Sequence, residues 1–264
     1  MGDWPEARGL VEGGLGDDRR WCGPCFFLCR GPFRVQRMNI LLIGGLWLGA
    51  SAWDRVASAL RVCGHDPVPV ALPGQGAPPS AATLEDQRAA VLAAVDAAVG
   101  RVMIVGHSAA CTLAWMACDA RPEKVARVLM IGGFPAGDGE DYADMFELID
   151  GVMPFPGWDP FEGADSADLD ERRREEIAAA AIPVPEAVAK GTVRLSNDGR
   201  FDVPVTVICP EFSPAQARGW VGGGEVPELA RARHVEYVDI DSGHWPMFTR
   251  PGELADRLAD VANA

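Results

Sequence analysis

Short unbroken apolar runs alternate along this chain with longer stretches in which apolar residues return every three or four positions. The runs predict strands at 39–43, 67–71, 101–105, 125–131, 203–209 and 235–240. The periodic stretches predict helices at 51–63, 83–99, 109–120, 214–220, 226–232 and 251–262. The helix at 83–99 has the plainest spacing, with Leu84, Ala90, Val91, Ala94, Val95 and Ala98 on one face. Thr83 stands where an N-cap belongs, with Asp86 instead of the usual Glu three residues on. Such alternation predicts a mostly parallel sheet with helices on both faces, a three-layer α/β/α sandwich.

Two segments break the alternation. Residues 1–37 carry much Gly and Arg and no sustained periodicity, whereas Met38 opens directly on the first strand. We read 1–37 as a poorly ordered N-terminal extension. Inside it, Trp21-Cys-Gly-Pro-Cys25 matches a thioredoxin-type redox motif. That chemistry needs a strand before the motif and a helix opening at the first cysteine, and neither is evident. Cys22, Cys25 and Cys29 lack a fourth metal ligand. The Phe26-Phe-Leu-Cys stretch behind Arg19-Arg20 is too short for an export signal and is interrupted by Pro32.

The second segment runs from Phe134 to Phe201. Asp138–Glu176 holds most of the negative excess, and the acidic run Asp165–Glu176 reads as a solvated helix face. Tyr142, Met145, Phe146, Met153, Phe155, Trp158 and Phe161 either line a pocket or pack against one another; packing is the reading for most of them.

Net charge is −14 over 264 residues, which argues against nucleic acid or an anionic membrane surface as partner. No apolar run reaches 18 residues. The seven cysteines are scattered, and Cys63, Cys111, Cys118 and Cys209 read as small hydrophobes in a reducing, cytoplasmic setting.

Candidate chemistry gathers at strand ends. Ser108 lies in Gly106-His-Ser-Ala-Ala110, between an apolar strand and a helix. That is the setting of a nucleophile elbow, although the last position is Ala rather than Gly. His244, in Asp241-Ser-Gly-His-Trp-Pro246, follows the last strand on a glycine-containing loop and suits a general base. The other histidines have blander settings: His65 behind a helix, His234 opening a strand, and His107 packing or lining the pocket. The loop after 39–43, beginning Gly44-Gly-Leu-Trp47, offers the amide of Leu46 as an oxyanion donor, with that of Ala109 as the second. Trp47, His107 and Trp245, each next to one of these groups in sequence, are expected to line the substrate pocket.

On these residues, the chain from Met38 onward resembles the α/β-hydrolase superfamily. Gly44–Trp53, Gly64-His-Asp-Pro67 and Leu72-Pro-Gly-Gln-Gly76 look most like its small esterase and hydroxynitrile-lyase branch, and like bacterial α/β-hydrolases of undefined substrate. That branch usually has His-Gly where this chain has Gly44-Gly45. The resemblance implies a core of 38–137 and 201–264 with a cap inserted at 138–200. It also implies that the first two of eight strands are absent or unrecognised. In the family a carboxylate after the 203–209 strand orients the histidine, but Ser213 occupies its usual position. Glu211, two residues earlier, is the leading substitute; Asp138 and Glu140 are alternatives, Asp241 a remote one, and an acid-free dyad remains open.

The implied activity is a serine hydrolase of small apolar esters, thioesters or lactones, with a small-molecule substrate and no metal or organic cofactor. The acidic rim disfavours strongly anionic substrates. Two other readings stay open: a Ser/His proton-transfer lyase or cyclase of the same fold, and a degenerate binding protein.

Overall fold

The computed structural model describes residues 37–76 and 81–264. The Trp21–Cys25 motif and nearly all of the expected extension lie outside the described residues. The first half of the described chain alternates β1 (Asn39–Ile43), α1 (Asp54–Val62), β2 (Asp66–Pro69), α2 (Leu84–Ala97), β3 (Val102–His107), α3 (Ala110–Ala120) and β4 (Val125–Ile131). An insertion carries β5 (Val152–Met153), α4 (Glu171–Ala180), β6 (Val184–Pro185) and α5 (Glu186–Ala189). The chain closes with β7 (Val205–Cys209), α6 (Pro214–Gly223), α7 (Pro227–Arg231), β8 (Val235–Asp239), α8 (Pro246–Thr249) and α9 (Pro251–Asn263).

Six strands form one all-parallel sheet in the order β2-β1-β3-β4-β7-β8. β5 and β6 make a separate two-stranded antiparallel ribbon. Side chains alternate strictly between the two faces of the central strands. Leu41, Ile43, Ile104, Val128, Met130, Val205 and Val207 pack with Val91 and Val95 of α2 and Leu113 and Ala117 of α3. Ile40, Leu42, Met103, Val105, Leu129, Ile131 and Ile208 pack on the other side with Val56 and Leu60 of α1 and Leu254 and Leu258 of α9. Burial on both faces explains why these strands read as continuous apolar runs rather than as alternating ones.

Element ends follow local chemistry. Thr83 and Asp86 form a reciprocal capping box at α2: Thr83 Oγ1 accepts the Asp86 N–H, and Asp86 Oδ2 accepts the Thr83 N–H at 2.8 Å. The shorter aspartate therefore does the work of the expected glutamate. The stretch expected to be helical from residue 51 begins as a 3-10 turn over Ala50–Trp53 and becomes α-helical at Asp54. His65 and His234 lie at the N-terminal ends of β2 and β8, at the sheet edge opposite the loops described below.

A buried ionic group ties the end of the insertion to the core. Arg200 donates from Nη1 to Asp119 (3.0 Å) and from Nε to Glu228 (2.9 Å). Trp115 Nε1 also donates to Glu228 (2.8 Å), and the Ser196 and Asn197 amides donate to Asp119. All three charged side chains are less than a tenth exposed. Removing one partner of such a group strands the others without solvent. Arg200→Leu is therefore expected to lower unfolding free energy by about 3–5 kcal/mol in urea denaturation. Arg257→Ala, which breaks an exposed pair with Glu253, should cost less than about 1 kcal/mol.

Candidate active site

The order of the sheet decides where a site can form. From β1 the chain moves outward to β2, then crosses back to β3 on the other side of β1. Loops at the C-terminal ends of β1 and β3 therefore diverge and leave a crevice between them. Leu46 and Trp47 lie in the loop after β1, and Ser108 follows β3. Gly132 and Gly133 follow β4, Glu211 follows β7 and His244 follows β8, so five adjacent strands deliver the group.

Ser108 has φ 54°, a left-handed conformation that a residue with a Cβ adopts only under constraint. Its N–H is held by the Ile131 carbonyl (2.8 Å), and its own carbonyl accepts the Cys111 N–H at the start of α3. Glycines leave the space. A Cβ on Gly106 would stand 2.4 Å from the Ala110 carbonyl oxygen, and one on Gly133 would stand 2.8 Å from that of Ser108. A Cβ on Gly45 would come within 3.0 Å of the Ser108 Cβ. Ala110 is fully buried at the position where the motif usually has glycine, so the tight approach at the elbow falls to Gly106 and Gly133.

His244 Nδ1 lies 2.8 Å from Glu211 Oε1, and both side chains are about one-eighth exposed. Gly132, at φ 58°, gives this pair room: a Cβ there would be 3.1 Å from His244 Nδ1 and 3.3 Å from Glu211 Oε2. Ser213 instead caps α6, accepting the Gln216 N–H, while the Gln216 side chain accepts the Ser213 N–H (2.9 Å). The other candidate acids are engaged elsewhere. Asp138 accepts the Leu195 N–H, Glu140 accepts the Gly137 N–H, and exposed Asp241 lends only its carbonyl, to Arg250.

Ser108 and His244 face a common cavity of about 200 Å³. Leu46, Trp47, His107, Ala109 and Trp245 also line it, together with Met145, Phe146 and Phe161 from the insertion. Among the described residues nothing accepts a hydrogen bond from the amides of Leu46 or Ala109. Of the insertion's other aromatics, Phe155 stacks on Phe161 and Trp158 meets Trp245 edge-on.

The Alpha/beta hydrolase family matches residues 40–257. The chain belongs to that family. It is 23% identical to Methylesterase 7 of Arabidopsis thaliana, over 86% of this chain and 97% of that one. Among solved structures it is similar to an extracellular α/β-hydrolase from a Paenibacillus species, described as homologous to tobacco salicylic acid binding protein 2. There the TM-score is 0.70, with 18% identity, 84% of this chain and 98% of that one. A pyrethroid hydrolase from Sphingobium faniae JZ-2 superposes with a TM-score of 0.63, at 19% identity, over 87% and 98% of the two chains.

In this α/β hydrolase the imidazole of His107 is buried and bonded through Nε2 to the His244 carbonyl at 2.8 Å. A carbonyl only accepts, so Nε2 carries the proton. Burial first, then the neighbouring His244, pushes the His107 pKa down to about 3. The ring is therefore neutral near pH 7 and holds the His244 backbone from beneath. Nδ1 has no partner among the described residues and packs against Gly45.

The insertion also grips the loop of His244, and the sequence carried no local sign of it. The His244 N–H donates to the Asp165 carbonyl (2.8 Å), and Ser242 Oγ donates to Asp168 Oδ2 (3.2 Å). Gly243 is enclosed so closely that a Cβ would lie 2.3 Å from the Asp165 carbonyl oxygen. Burial and the charge of Glu211 raise the Asp165 carboxyl above its ordinary value, against the opposing effect of His244. The acidic run is thus not solvated throughout: Asp165 and Asp168 pack onto the hydrolase's histidine loop, whereas Asp170 and the acids of α4 behind them face water. The Gly132-Gly133 pair at the end of β4 was the available signal for the space beside His244 and Ser108.

The depressed His107 pKa has a stability consequence. Below about pH 6.5 the unfolded chain binds a proton at residue 107 that the folded chain refuses until about pH 3. Stability from this site is full above that window and falls as pH drops through it, by up to about 1.4 kcal/mol per pH unit. His107→Gln should flatten the fall of urea-unfolding free energy between about pH 6 and pH 4. An unchanged slope would mean that residue 107 titrates alike in both states.

Proposed function

We propose that this protein is a serine hydrolase acting on small apolar carboxylic esters, thioesters or lactones through an acyl-enzyme on Ser108. The observation that carries the reading is a convergence: Ser108 in its left-handed turn and a His244 bonded to Glu211 open on one largely apolar cavity. Ser108 Oγ attacks the carbonyl carbon while His244 Nε2 takes its proton. Glu211 keeps the Nδ1 proton of His244 directed toward itself and stabilises the imidazolium that forms. The negative oxygen of the tetrahedral intermediate settles between the Leu46 and Ala109 amides, which have no acceptor among the described residues. His244 returns its proton to the leaving alkoxide or thiolate. A water deprotonated by His244 then attacks the acyl-enzyme, releases the acid and restores Ser108.

The lining suits such substrates, because Trp47, Phe146, Phe161 and Trp245 offer apolar surface. Among the described residues the lining includes no Lys or Arg. The methylesterase and pyrethroid hydrolase among the similar proteins favour an ester bond. No helix among the described residues is long and apolar enough to cross a membrane. Cys111, Cys118 and Cys209 are buried free thiols, which suits a cytoplasmic setting.

Intact-mass analysis after exposure to a fluorophosphonate tests the assignment. The wild type is expected to gain one adduct, and Ser108→Ala none. Glu211→Gln should slow labelling and p-nitrophenyl acetate hydrolysis by roughly 10²–10⁴-fold, since it leaves the base unoriented. A folded wild type that takes no adduct would overturn the reading.

A further inference from the structure

Three separate cavities meet at this site, and among the described residues Trp47 is the one that lines all three. The first is the cavity over Ser108. The second, about 190 Å³, lies beside α4 and is lined by Leu48, Ala52, Ile177, Ala180 and Phe248, with Ser51, Arg173 and Glu176 also on its wall. The third holds only about 20 Å³, toward Gln87 and Tyr142. Apart from Trp47, the Ser108 cavity and the one beside α4 share no residue. Trp47 thus stands between a cavity that contains the reacting groups and a largely apolar space of similar size.

The indole is held in place from several directions. Trp47 Nε1 donates to the Met153 carbonyl in β5 (3.2 Å), and its own carbonyl accepts the Ile182 N–H. Phe146 and Phe155 meet the indole edge-on, with ring centroids at 5.1 and 5.4 Å. Its φ is 63°, a strained value for a residue with a large side chain.

Resting on the hydrolase reading above, we propose that Trp47 is a specificity-determining residue that limits the length of the acyl group. The leaving oxygen must face His244 to be protonated, so the leaving group lies beside His244 and Trp245. The carbonyl oxygen points to the Leu46 and Ala109 amides. The acyl limb is left to run along the loop after β1, where Trp47 blocks it. The space beside α4 is where a longer chain goes once the indole is removed.

The test is an acyl-length series of p-nitrophenyl esters, acetate to octanoate, with the wild type and Trp47→Gly, Trp47→Leu and Trp47→Phe. Glycine is the natural choice at this φ, since it removes the indole and relaxes the backbone together. The wild type should lose kcat/KM steeply beyond butyrate. Trp47→Gly should raise the octanoate-to-acetate ratio about 100-fold, the scale on which a pocket discriminates a few methylenes. Trp47→Leu should fall between Trp47→Gly and Trp47→Phe, and Trp47→Phe should stay near the wild type, so the ranking survives if the glycine variant folds poorly. A ratio indifferent to side-chain size in folded variants overturns the proposal. So does a wild type that takes octanoate as readily as acetate, or a gain confined to a parallel series of acetate esters of longer alcohols. Absence of Ser108-dependent hydrolysis on every ester would instead overturn the parent reading, and this one with it.

Discussion

Everything at the site depends on how closely the backbone approaches itself beneath Ser108. The turn from β3 into α3 places a serine at φ 54°, and its neighbours across the sheet have no side chains to spare. Gly45, Gly106 and Gly133 come from three different strand ends, and each lies where a single added carbon would collide with the turn. Strain of this kind persists only where surrounding structure over-determines it. Here the fully buried β3 and α3 supply that determination, helped by the hydrogen bond from Ser108 N–H to the Ile131 carbonyl. The close approach of Gly45 to the turn keeps the loop after β1 against it, and Leu46 and Ser108 line one cavity.

The histidine is constrained differently. Ser108 is fixed by sterics, whereas His244 is fixed by hydrogen bonds from three sides. Its backbone carbonyl is held by a neutral His107, its amide by Asp165 and its ring by Glu211. The neutrality of His107 matters electrostatically. A second imidazolium beside the first would oppose the positive charge that His244 takes on in the proposed reaction, and burial prevents it from forming near pH 7.

Much of this was legible in the sequence because the signals were local. Strands buried on both faces appear as apolar runs, and the elbow is written within five residues. Glu211 was readable as the nearest carboxylate on the loop after β7, while Ser213 serves as the N-cap of α6. What escaped was long-range. Asp165 meets His244 through its backbone carbonyl, about which a side chain says nothing, and the two lie far apart in sequence. Asp168 sat inside a charge run that looked like any solvated surface. The three cavities around Trp47 exist only once the loop after β1, the β5–β6 ribbon and α4 have come together, so no stretch of sequence contains them.

The grip of residues 165–168 on the histidine loop bears on modularity. An inserted segment over an active site is easily imagined as an exchangeable lid, free to diverge while the sheet beneath preserves the chemistry. Here the same segment carries both pocket lining, in Phe161, and support for His244, in Asp165 and Asp168. Arg174 locks the two parts together by donating to the carbonyl and hydroxyl of buried Ser166 while lying over the Trp158 ring. From Trp158 to Arg174, change in the segment is therefore coupled to the position of His244. Recombination that swapped the whole segment would exchange the support of His244 along with the cavity lining.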